Sequence, residues 1–444
     1  MKRIVILMLI IVLAIAMATM GISCKQAKAP AEEAVEEAPA EETETAPEEA
    51  EKVVVPLITH WWHEPGIADF HIAAKEAFEK ENPNIEIEKI DLPWEELTDQ
   101  IIMRLKTNTP TGIIFSWLGT FPSVAGTGEL APLDDYFANS SIKDNFLQSA
   151  LDECMYNGDM VALPIQMSSA ALIYNKKLLE EKGVEVPTTL DELYAAAEKL
   201  TDPSKHIYGF GALSREVGGF ELYTKVFEFV VGNGGSFATE DGKPSLNAPE
   251  TVEAVELWKK MIDNKVTPIG LDVTELRETV WNGQTAMIID GPWLMNQINE
   301  NNPDVYKNMD VALLPTNGHK GSPLVLTFYS IQNNFKYKDE AWKFLEFMNS
   351  PEWSKKWIEM TKSTNATDTA IPETTMEESP WLKVFQAQNA SASPTIPKSL
   401  GRNAVEFQKK VEAYLVEIVS KDEPVKEALD KAQEELTQWL AEVE

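Results

Sequence analysis

Three apolar segments of the chain each end in tryptophan and polar residues that could bind a small ligand. Segment 60–66 follows the first of them and contains Trp62 and Glu64, Trp117 follows the second, and Trp293 follows the third. An indole face covers the C–H surface of a ligand, while a carboxylate accepts hydrogen bonds from its hydroxyl groups. These residue types therefore suit a small molecule that has both kinds of surface.

The third of these segments gives the most specific structural prediction. The apolar run 286–289 is followed by Asp290, Gly291, Pro292 and Trp293. Proline suits the first position of a helix, where its missing N–H is not needed. We therefore predict that Trp293 lies in the first helical turn and faces the end of the preceding strand, with Asp290 beside it.

The elements that must position these residues alternate between strand and helix. Residues 53–59, 85–88 and 112–116 have strand patterns, and 67–82 and 94–107 have helical apolar spacing. This alternation is typical of a parallel α/β sheet flanked by helices. Ligands of such sheets bind beyond the carboxyl ends of the strands, so we expect the three tryptophan-bearing segments to converge on one site.

A metal or another cofactor is not predicted. His60, His63 and Glu64 form a His-x-x-His-Glu pattern, but two residues three apart at a strand end point to opposite faces. The Gly209–Gly211 segment lacks the third glycine and the strand-to-helix context of a dinucleotide-binding motif. Cys154 has no His or base at a recognisable spacing, and we interpret it as a small buried hydrophobic residue.

The net charge excludes several classes of partner. The chain carries 39 Lys and Arg against 71 Asp and Glu, a formal charge of −32, and only five of the basic residues are arginines. Binding to nucleic acid or to anionic lipid headgroups needs clustered Lys and Arg. Sugar phosphates and sulfates favour bidentate guanidinium recognition, so the scarcity of arginine argues against them too.

The amino terminus has the features of an export signal. Lys2 and Arg3 precede an apolar run, Ile4–Met20, and small residues precede Cys24. This pattern predicts a signal peptide over residues 1–23, and Cys24 resembles the lipidated cysteine of a bacterial lipoprotein. An uncleaved membrane anchor is the alternative, because the run approaches spanning length. The acidic, Pro-rich residues 24–52 are predicted to form a disordered tether.

Several segments resemble those of one known family. The most specific is Asn282–Trp293, and further similarity lies in Leu163–Ile165, Leu172–Leu178, Gly183–Leu193 and Ala341–Met348. In one order along the chain, they resemble the family 1 extracellular solute-binding proteins, the maltose-binding-protein-like receptors of carbohydrate ABC importers. The resemblance extends from about residue 54 to the carboxyl terminus.

The resemblance implies the two-lobed α/β fold of type II periplasmic binding proteins. Each lobe would be a mostly parallel sheet flanked by helices, with the ligand cleft between the lobes. Residues 53–167 and 309–340 would form lobe one, and residues 168–308 and 341–444 would form lobe two. The chain would cross between lobes near 166–170, 308–310 and 335–342.

The resemblance also implies roles for individual residues. Glu64 takes the position of a sugar-hydroxyl acceptor, Trp117 that of a stacking platform on lobe one, and Trp293 that of the facing platform on lobe two. The complete set of expected ligand-binding residues is Trp62, Glu64, Trp117, Gln166, Ser168, Asp290, Trp293, Thr327, Phe328 and Arg402.

The function that this resemblance implies is substrate capture for an ABC importer. A monomeric lipoprotein, anchored at the outer face of the cytoplasmic membrane or in the periplasm, would bind a neutral sugar or oligosaccharide and deliver it to the permease. Two alternatives stay open. A secreted glycoside hydrolase would also use tryptophan platforms, together with two carboxylates about 5–9.5 Å apart. A structural surface lipoprotein would explain the anchor and tether but not the convergent tryptophans.

Overall fold

The computed structural model describes residues 52–64, 66–215, 220–319 and 321–443. The predicted signal peptide, Cys24 and the tether up to residue 51 lie outside these ranges. Within them, none of the helices combines the length and the apolar character needed to cross a membrane.

The strands and helices alternate as expected in the first part of the chain. The strands are β1 Val53–Thr59, β2 Ile85–Asp91, β3 Ile113–Trp117, β4 Met155–Tyr156, β5 Asp159–Met160, β6 Leu163–Ser169, β7 Ala171–Asn175, β8 Met287–Asp290, β9 Met309–Ala312, β10 Ser322–Ile331 and β11 Ala392–Ser393. The helices are α1 Ile67–Glu81, α2 Trp94–Lys106, α3 Phe121–Ala125, α4 Asp134–Ala138, α5 Gln148–Asp152, α6 Lys176–Lys182, α7 Leu190–Leu200, α8 Glu221–Gly232, α9 Pro249–Asp263, α10 Val273–Trp281, α11 Pro292–Asn301, α12 Pro303–Tyr306, α13 Lys338–Met348, α14 Pro351–Thr361, α15 Glu373–Glu378, α16 Leu382–Asn389, α17 Ala404–Ser420 and α18 Val425–Val443.

Lobe one is built on a mixed sheet. Its strand order is β11-β10-β3-β1-β2, and β6 also pairs with β10. β1 runs parallel to β2 and β3, whereas β10 runs antiparallel to β3 and β6. The apolar side chains of β1 are almost all buried in the core of this lobe, as a strand covered on both faces requires. The parallel part brings the carboxyl ends of β1 and β3 to one edge.

Lobe two has a smaller sheet with the order β8-β7-β9. Contrary to the expected mostly parallel sheet, β7 is antiparallel to both of its neighbours. The reason is connectivity, because β7 comes directly from β6 of lobe one instead of from a helix within its own lobe. Residues 208–211 add isolated parallel bridges to the β8 side. The α/β class and the helical flanking agree with the prediction.

The lobe boundaries differ from those that the sequence predicted. The helix pair α13 and α14 buries Trp342, Phe344 and Trp357 in the core of lobe one, although residues 341–361 were assigned to lobe two. β9 belongs to lobe two, where it pairs with β7. The chain crosses at Ala170, between β9 and β10, and after Ala366, because these are the points where buried residues change from one core to the other.

Candidate functional site

A cavity of about 680 Å³ is lined by residues of both lobes. The ends of β1, β3 and β8 all reach it, as the topology of the strand ends predicted. Trp117 comes from lobe one and Trp293 from lobe two, and both line the cavity together with Glu64, Gln166 and Asp290. Its volume is within the range typical of small-molecule sites.

The indole rings of Trp117 and Trp293 each pack over the backbone of a glycine. A Cβ added to Gly119 would stand 2.1 Å from Cη2 of Trp117, and one added to Gly291 would stand 2.1 Å from Cη2 of Trp293. Each indole therefore folds back over the backbone of a residue two positions away, and only glycine leaves room for it. Pro292 begins α11 and places Trp293 in its first turn, as predicted.

Further aromatic rings extend the wall that lobe one contributes. Trp94, at the start of α2, has its ring centroid 5.9 Å from Trp117 and 4.7 Å from His60. Trp61 also lines the cavity and packs edge-on against Phe115 at 4.8 Å. Burial lowers the pKa of His60 to about 3, so this ring is neutral at ordinary pH. The sequence did not single out Trp94, because the predicted strand before it ended at residue 88, whereas β2 extends to Asp91 and Trp94 follows it by three residues.

Lobe two contributes a buried charged network that the sequence analysis missed. Arg277 of α10 donates from Nε to Oδ2 of Asp290 at 2.8 Å and from Nη2 to Oδ1 at 3.1 Å. Lys225 of α8 donates to Oε1 of Glu228 at 2.9 Å and to the carbonyl of Ile289 at 2.6 Å. Its Nζ is also 3.5 Å from Oδ2 of Asp290.

The pKa values of this network follow from burial opposed by pairing. Burial would raise the pKa of Asp290, but Arg277 and Lys225 lower it to about 2. Asp290 is therefore ionised, with a side chain that is 0% exposed, and its oxygens are occupied by protein donors. Burial raises the pKa of Glu228 to about 8, although Lys225 opposes the shift. Both oxygens of Asp290 thus have protein partners in Arg277, Lys225 and the backbone N–H of Gly291.

Glu64 and Glu221 face the cavity from opposite lobes. Glu64 belongs to the loop after β1 and accepts a hydrogen bond at 3.1 Å from Nε2 of Gln297, on α11 of lobe two. Glu221 is in the first turn of α8. Burial raises the pKa of both carboxyls, and Arg277 opposes the shift in each case. Each carboxyl is therefore sensitive to any charge that enters the cavity.

Two residues of the crossing region are in the cavity wall as expected. Thr327 of β10 accepts a hydrogen bond at 3.3 Å from the backbone N–H of Gln166, and the side-chain amide of Gln166 donates to Oγ of Ser363 at 3.0 Å. Both line the cavity. These contacts fix the side chains where the chain passes from lobe one to lobe two.

Four predicted ligand-binding residues lie elsewhere. Trp62 is buried away from the cavity, with Nε1 donating to the carbonyl of Leu57 at 3.2 Å, and it is Trp61 that lines the site. Phe328 packs against Phe121 in the core of lobe one, because adjacent residues of a strand point to opposite faces. These two predictions are corrected.

Ser168 and Arg402 are corrected as well. Ser168 is fully buried in β6, whose neighbouring strand covers it at Val325. Arg402 is exposed, and its Nη2 donates to the carbonyl of Val443 at 3.1 Å. Its backbone carbonyl, not its guanidinium, contacts lobe one, where it accepts a hydrogen bond from Ser123.

The missed charged residues do have a signal in the sequence. Glu221, Lys225 and Glu228 stand at positions i, i+4 and i+7 of α8, and most other side chains of that helix are buried and apolar. This spacing puts them on one face. A charged stripe within an apolar helix indicates a polar cavity, whereas no comparable local pattern marks Arg277.

Within the described ranges, no three His, Cys, Asp or Glu side chains are arranged to hold a metal ion. The cavity offers aromatic faces, a few neutral hydrogen-bonding groups and an excess of carboxyls. This arrangement binds and encloses a small molecule, and the fold that presents it is that of a two-lobed substrate-binding protein.

The chain belongs to the bacterial extracellular solute-binding protein family, whose profile matches residues 62–355. A binding protein of Brucella abortus is 33% identical over 295 residues, which are 64% of this chain and 69% of the relative. The maltotriose-binding protein of Pyrococcus abyssi is 28% identical over 255 residues, covering 53% of this chain and 49% of the relative. This membership places the protein outside the cytoplasm and among proteins that bind substrates.

The fold is shared with solved structures of low sequence identity. The GacH receptor of Streptomyces glaucescens, solved unliganded and with acarbose, superposes with a TM-score of 0.77 at 20% identity. The match covers 87% of this chain and 98% of the receptor. The two-lobed architecture predicted from the sequence is therefore confirmed.

Proposed function

We propose that this protein captures a saccharide between its lobes and delivers it to the permease of an ABC importer. The observation that carries the proposal is the position of Trp117 and Trp293, which come from different lobes and line one cavity. Facing indoles cover the C–H surfaces of a sugar ring, and the neutral His60 and the amide of Gln297 suit its hydroxyls. The relative that is named for maltotriose supports the same ligand class.

The saccharide carries no acidic group. In the described part of the chain, the permanent cations that line the cavity are Lys225 and Arg277, and both are paired with Asp290. A phosphate or sulfate would have to compete with Asp290 for Arg277 and would face the other carboxyls. The structure thus gives a second reason, beyond the scarcity of arginine, to exclude acidic sugars.

Calorimetry of the purified protein against a library of neutral and modified oligosaccharides tests this proposal. We expect saturable binding of at least one saccharide, which chromatography then recovers unchanged. Cleavage of the bound saccharide would instead favour the glycoside hydrolase. Absence of binding across the library would contradict saccharide capture.

We propose further that the protein acts as a monomer tethered to the membrane through a lipid on Cys24. Attachment of the lipid needs the thiol, so Cys24→Ser is expected to move the protein from the membrane fraction to the soluble fraction. Immunoblotting of fractionated cells measures this, with Cys154→Ser as the control that keeps the lipid. A Cys24→Ser protein that stays in the membrane pellet would indicate that the apolar run Ile4–Met20 is the anchor.

A further inference from the structure

The described residues that line the cavity include more carboxyl groups than permanent cations. Among the residues that the structure describes, two permanent cations line it, Lys225 and Arg277, against six carboxyl groups: Glu64, Asp91, Glu95, Glu221, Glu228 and Asp290. Burial raises the pKa of one of these, Glu228, to about 8. An excess of four carboxyls in a small enclosed space is costly, because closure over a ligand removes the water that solvates them. Either the carboxyls are neutralised by protons or the ligand brings positive charge.

Pairing within the protein satisfies only part of this set. Asp290 is bound bidentately by Arg277, and Glu228 is paired with Lys225. At the rim, Asp91 accepts from Nδ1 of His63 at 2.6 Å. Glu64, Glu221 and Asp290 all interact electrostatically with Arg277. Glu64 and Glu221 lie deeper in the cavity and, in the described part of the chain, neither forms a salt bridge.

Glu221 directly follows Phe220, which belongs to a cluster of aromatic rings around Trp117. The adjacent residue, Phe220, has its ring centroid 6.4 Å from that of Trp117, and Trp94 is 5.9 Å from Trp117 on the other side. Burial raises the pKa of the Glu221 carboxyl, and the indole N–H of Trp94 is among the groups that oppose this shift. Aromatic faces attract cations, and Trp94 and Trp117 line the same cavity as the carboxyls.

Unpartnered polar atoms at the same cavity are an independent observation. Oγ1 of Thr395, in a residue that is 4% exposed, lines the cavity without a hydrogen-bond partner in the described ranges. The same holds for Oε1 of Gln297, whose amide nitrogen is bonded to Glu64. Oε1 can only accept a hydrogen bond. A ligand group with several N–H donors would satisfy it.

We propose that the saccharide taken up by this protein carries a protonated amino group, which Glu221 and Glu64 bind beside Trp94 and Trp117. This inference rests on the proposed function and specifies its substrate class. An ammonium group has three donors and no acceptor, so it matches two carboxylates and an amide oxygen better than a hydroxyl does. Glu64 belongs to lobe one and Glu221 to lobe two, so a cation that contacts both would also join the lobes.

Three β-1,4-linked trisaccharides that differ only at carbon 2 provide the probes: those of glucosamine, glucose and N-acetylglucosamine. The corresponding monosaccharides, with galactosamine and galactose, extend the comparison to other ring geometries. Calorimetry is performed at about pH 6, where an amine is protonated. We expect amino members to bind about tenfold more tightly than their hydroxyl and acetamido counterparts.

Charge-removing variants separate this preference from general loss of binding. Glu221→Gln keeps the size of the side chain and should reduce the ratio of amino to hydroxyl affinity towards one, as should Glu64→Gln. Glu434→Gln, on the exposed face of α18, is the matched control and should leave the ratio unchanged. Circular dichroism confirms that each variant is folded.

The possible results have distinct meanings. The inference would be overturned if neutral saccharides bound as tightly as their amino counterparts and the binding enthalpy depended on the buffer, which shows that the carboxyls take up protons instead. This result would leave saccharide capture in place. An amino preference that survives both Glu221→Gln and Glu64→Gln would also overturn the inference. Failure of every saccharide in both classes would contradict the inference and the proposed function together.

Discussion

At the scale of single residues, Trp293 is the side chain on which binding is expected to depend most. Its ring lies over Gly291, and the guanidinium carbon of Arg277 is 5.9 Å from its centroid. Trp293→Ala should weaken saccharide binding by about 2–4 kcal/mol, the range for a central aromatic anchor. Calorimetry measures the loss. Trp439→Ala is the control, because Trp439 is half-buried and does not line the cavity. Unchanged affinity in a folded Trp293→Ala protein would contradict the prediction.

Glu228 should make the stability of the protein depend on pH. Its carboxyl has a pKa of about 8 in the folded protein against an ordinary value of 4.5, because of burial, with Lys225, Asp290 and Glu221 as its charged neighbours. Between these values the folded state holds a proton that the unfolded state has lost, so the free energy of unfolding falls as pH rises.

Glu228→Gln removes this titration and should flatten the decline in the thermal midpoint between about pH 5 and pH 8. Glu253→Gln, on the outer face of α9, keeps the wild-type slope. A Glu228→Gln protein with the same slope as the wild type would show that Glu228 is ionised throughout.

The sequence locates cavity-lining residues that follow a strand better than those that come from helices. Trp117 and Trp293 could be placed because each directly follows a strand whose end must lie at the cleft. Arg277 could not, since it reaches the cavity from the middle of α10 through its contact with Asp290. Trp61 and Trp62 are adjacent, and the sequence alone does not say which indole faces the ligand once the strand has ended.

At the scale of elements, the capping of α10 determines how firmly Arg277 is held. Oδ1 of Asp272 accepts from the backbone N–H of Glu275 at 2.8 Å, and Oε2 of Glu275 accepts from the backbone N–H of Asp272 at 2.9 Å. This reciprocal capping box satisfies donors that the first turn leaves unpaired. Its loss is expected to loosen the helix that carries the guanidinium.

Asp272→Ala should lower the free energy of unfolding by about 1 kcal/mol, the usual cost of losing such a cap. Urea denaturation measures it. Asp272→Asn retains an acceptor at the same position and should stay close to wild type. Equal destabilisation by both substitutions would assign the effect to the charge of Asp272 instead of to capping.

Element types in the first part of lobe one follow from local pattern, and their order in the sheets does not. The predicted helix 67–82 is observed as Ile67–Glu81, ending before Pro83 as the restriction on residues before proline suggests. β7, in contrast, has the same apolar composition as the parallel strands and is antiparallel to its neighbours. Strand direction depends on where the chain crosses between lobes, which is a long-range property.

At the scale of the whole molecule, the helix pair was assigned to the wrong lobe because the points where the chain crosses between lobes cannot be read from local sequence. α13 and α14 are amphipathic helices whose apolar faces contain Trp342, Trp353 and Trp357. Such a face would suit either core, so its pattern cannot say which lobe it covers. The choice follows from β10, which returns the chain to lobe one directly before α13 and leaves the helices next to that sheet.

Ligand is expected to draw the two lobes together. Gln297 on lobe two contacts Glu64 on lobe one, and Phe220 contacts Trp117, so these pairs exist only when the cleft is narrow. A saccharide that touches both Trp117 and Trp293 favours this state by its higher affinity for it. Small-angle scattering should therefore give a smaller radius of gyration with bound saccharide, and the permease could distinguish loaded from empty protein by shape.

Trp293→Ala provides the critical comparison, because it removes one of the two surfaces that the ligand must join. At saturating saccharide this variant should bind weakly through lobe one and remain closer to the open form, so its radius should change less than that of the wild type. Tryptophan fluorescence gives a second readout, since closure removes water from Trp117. If calorimetry shows the wild-type protein to be saturated while its radius and fluorescence stay constant, the lobes do not move on binding, and the cavity is a rigid, preformed site.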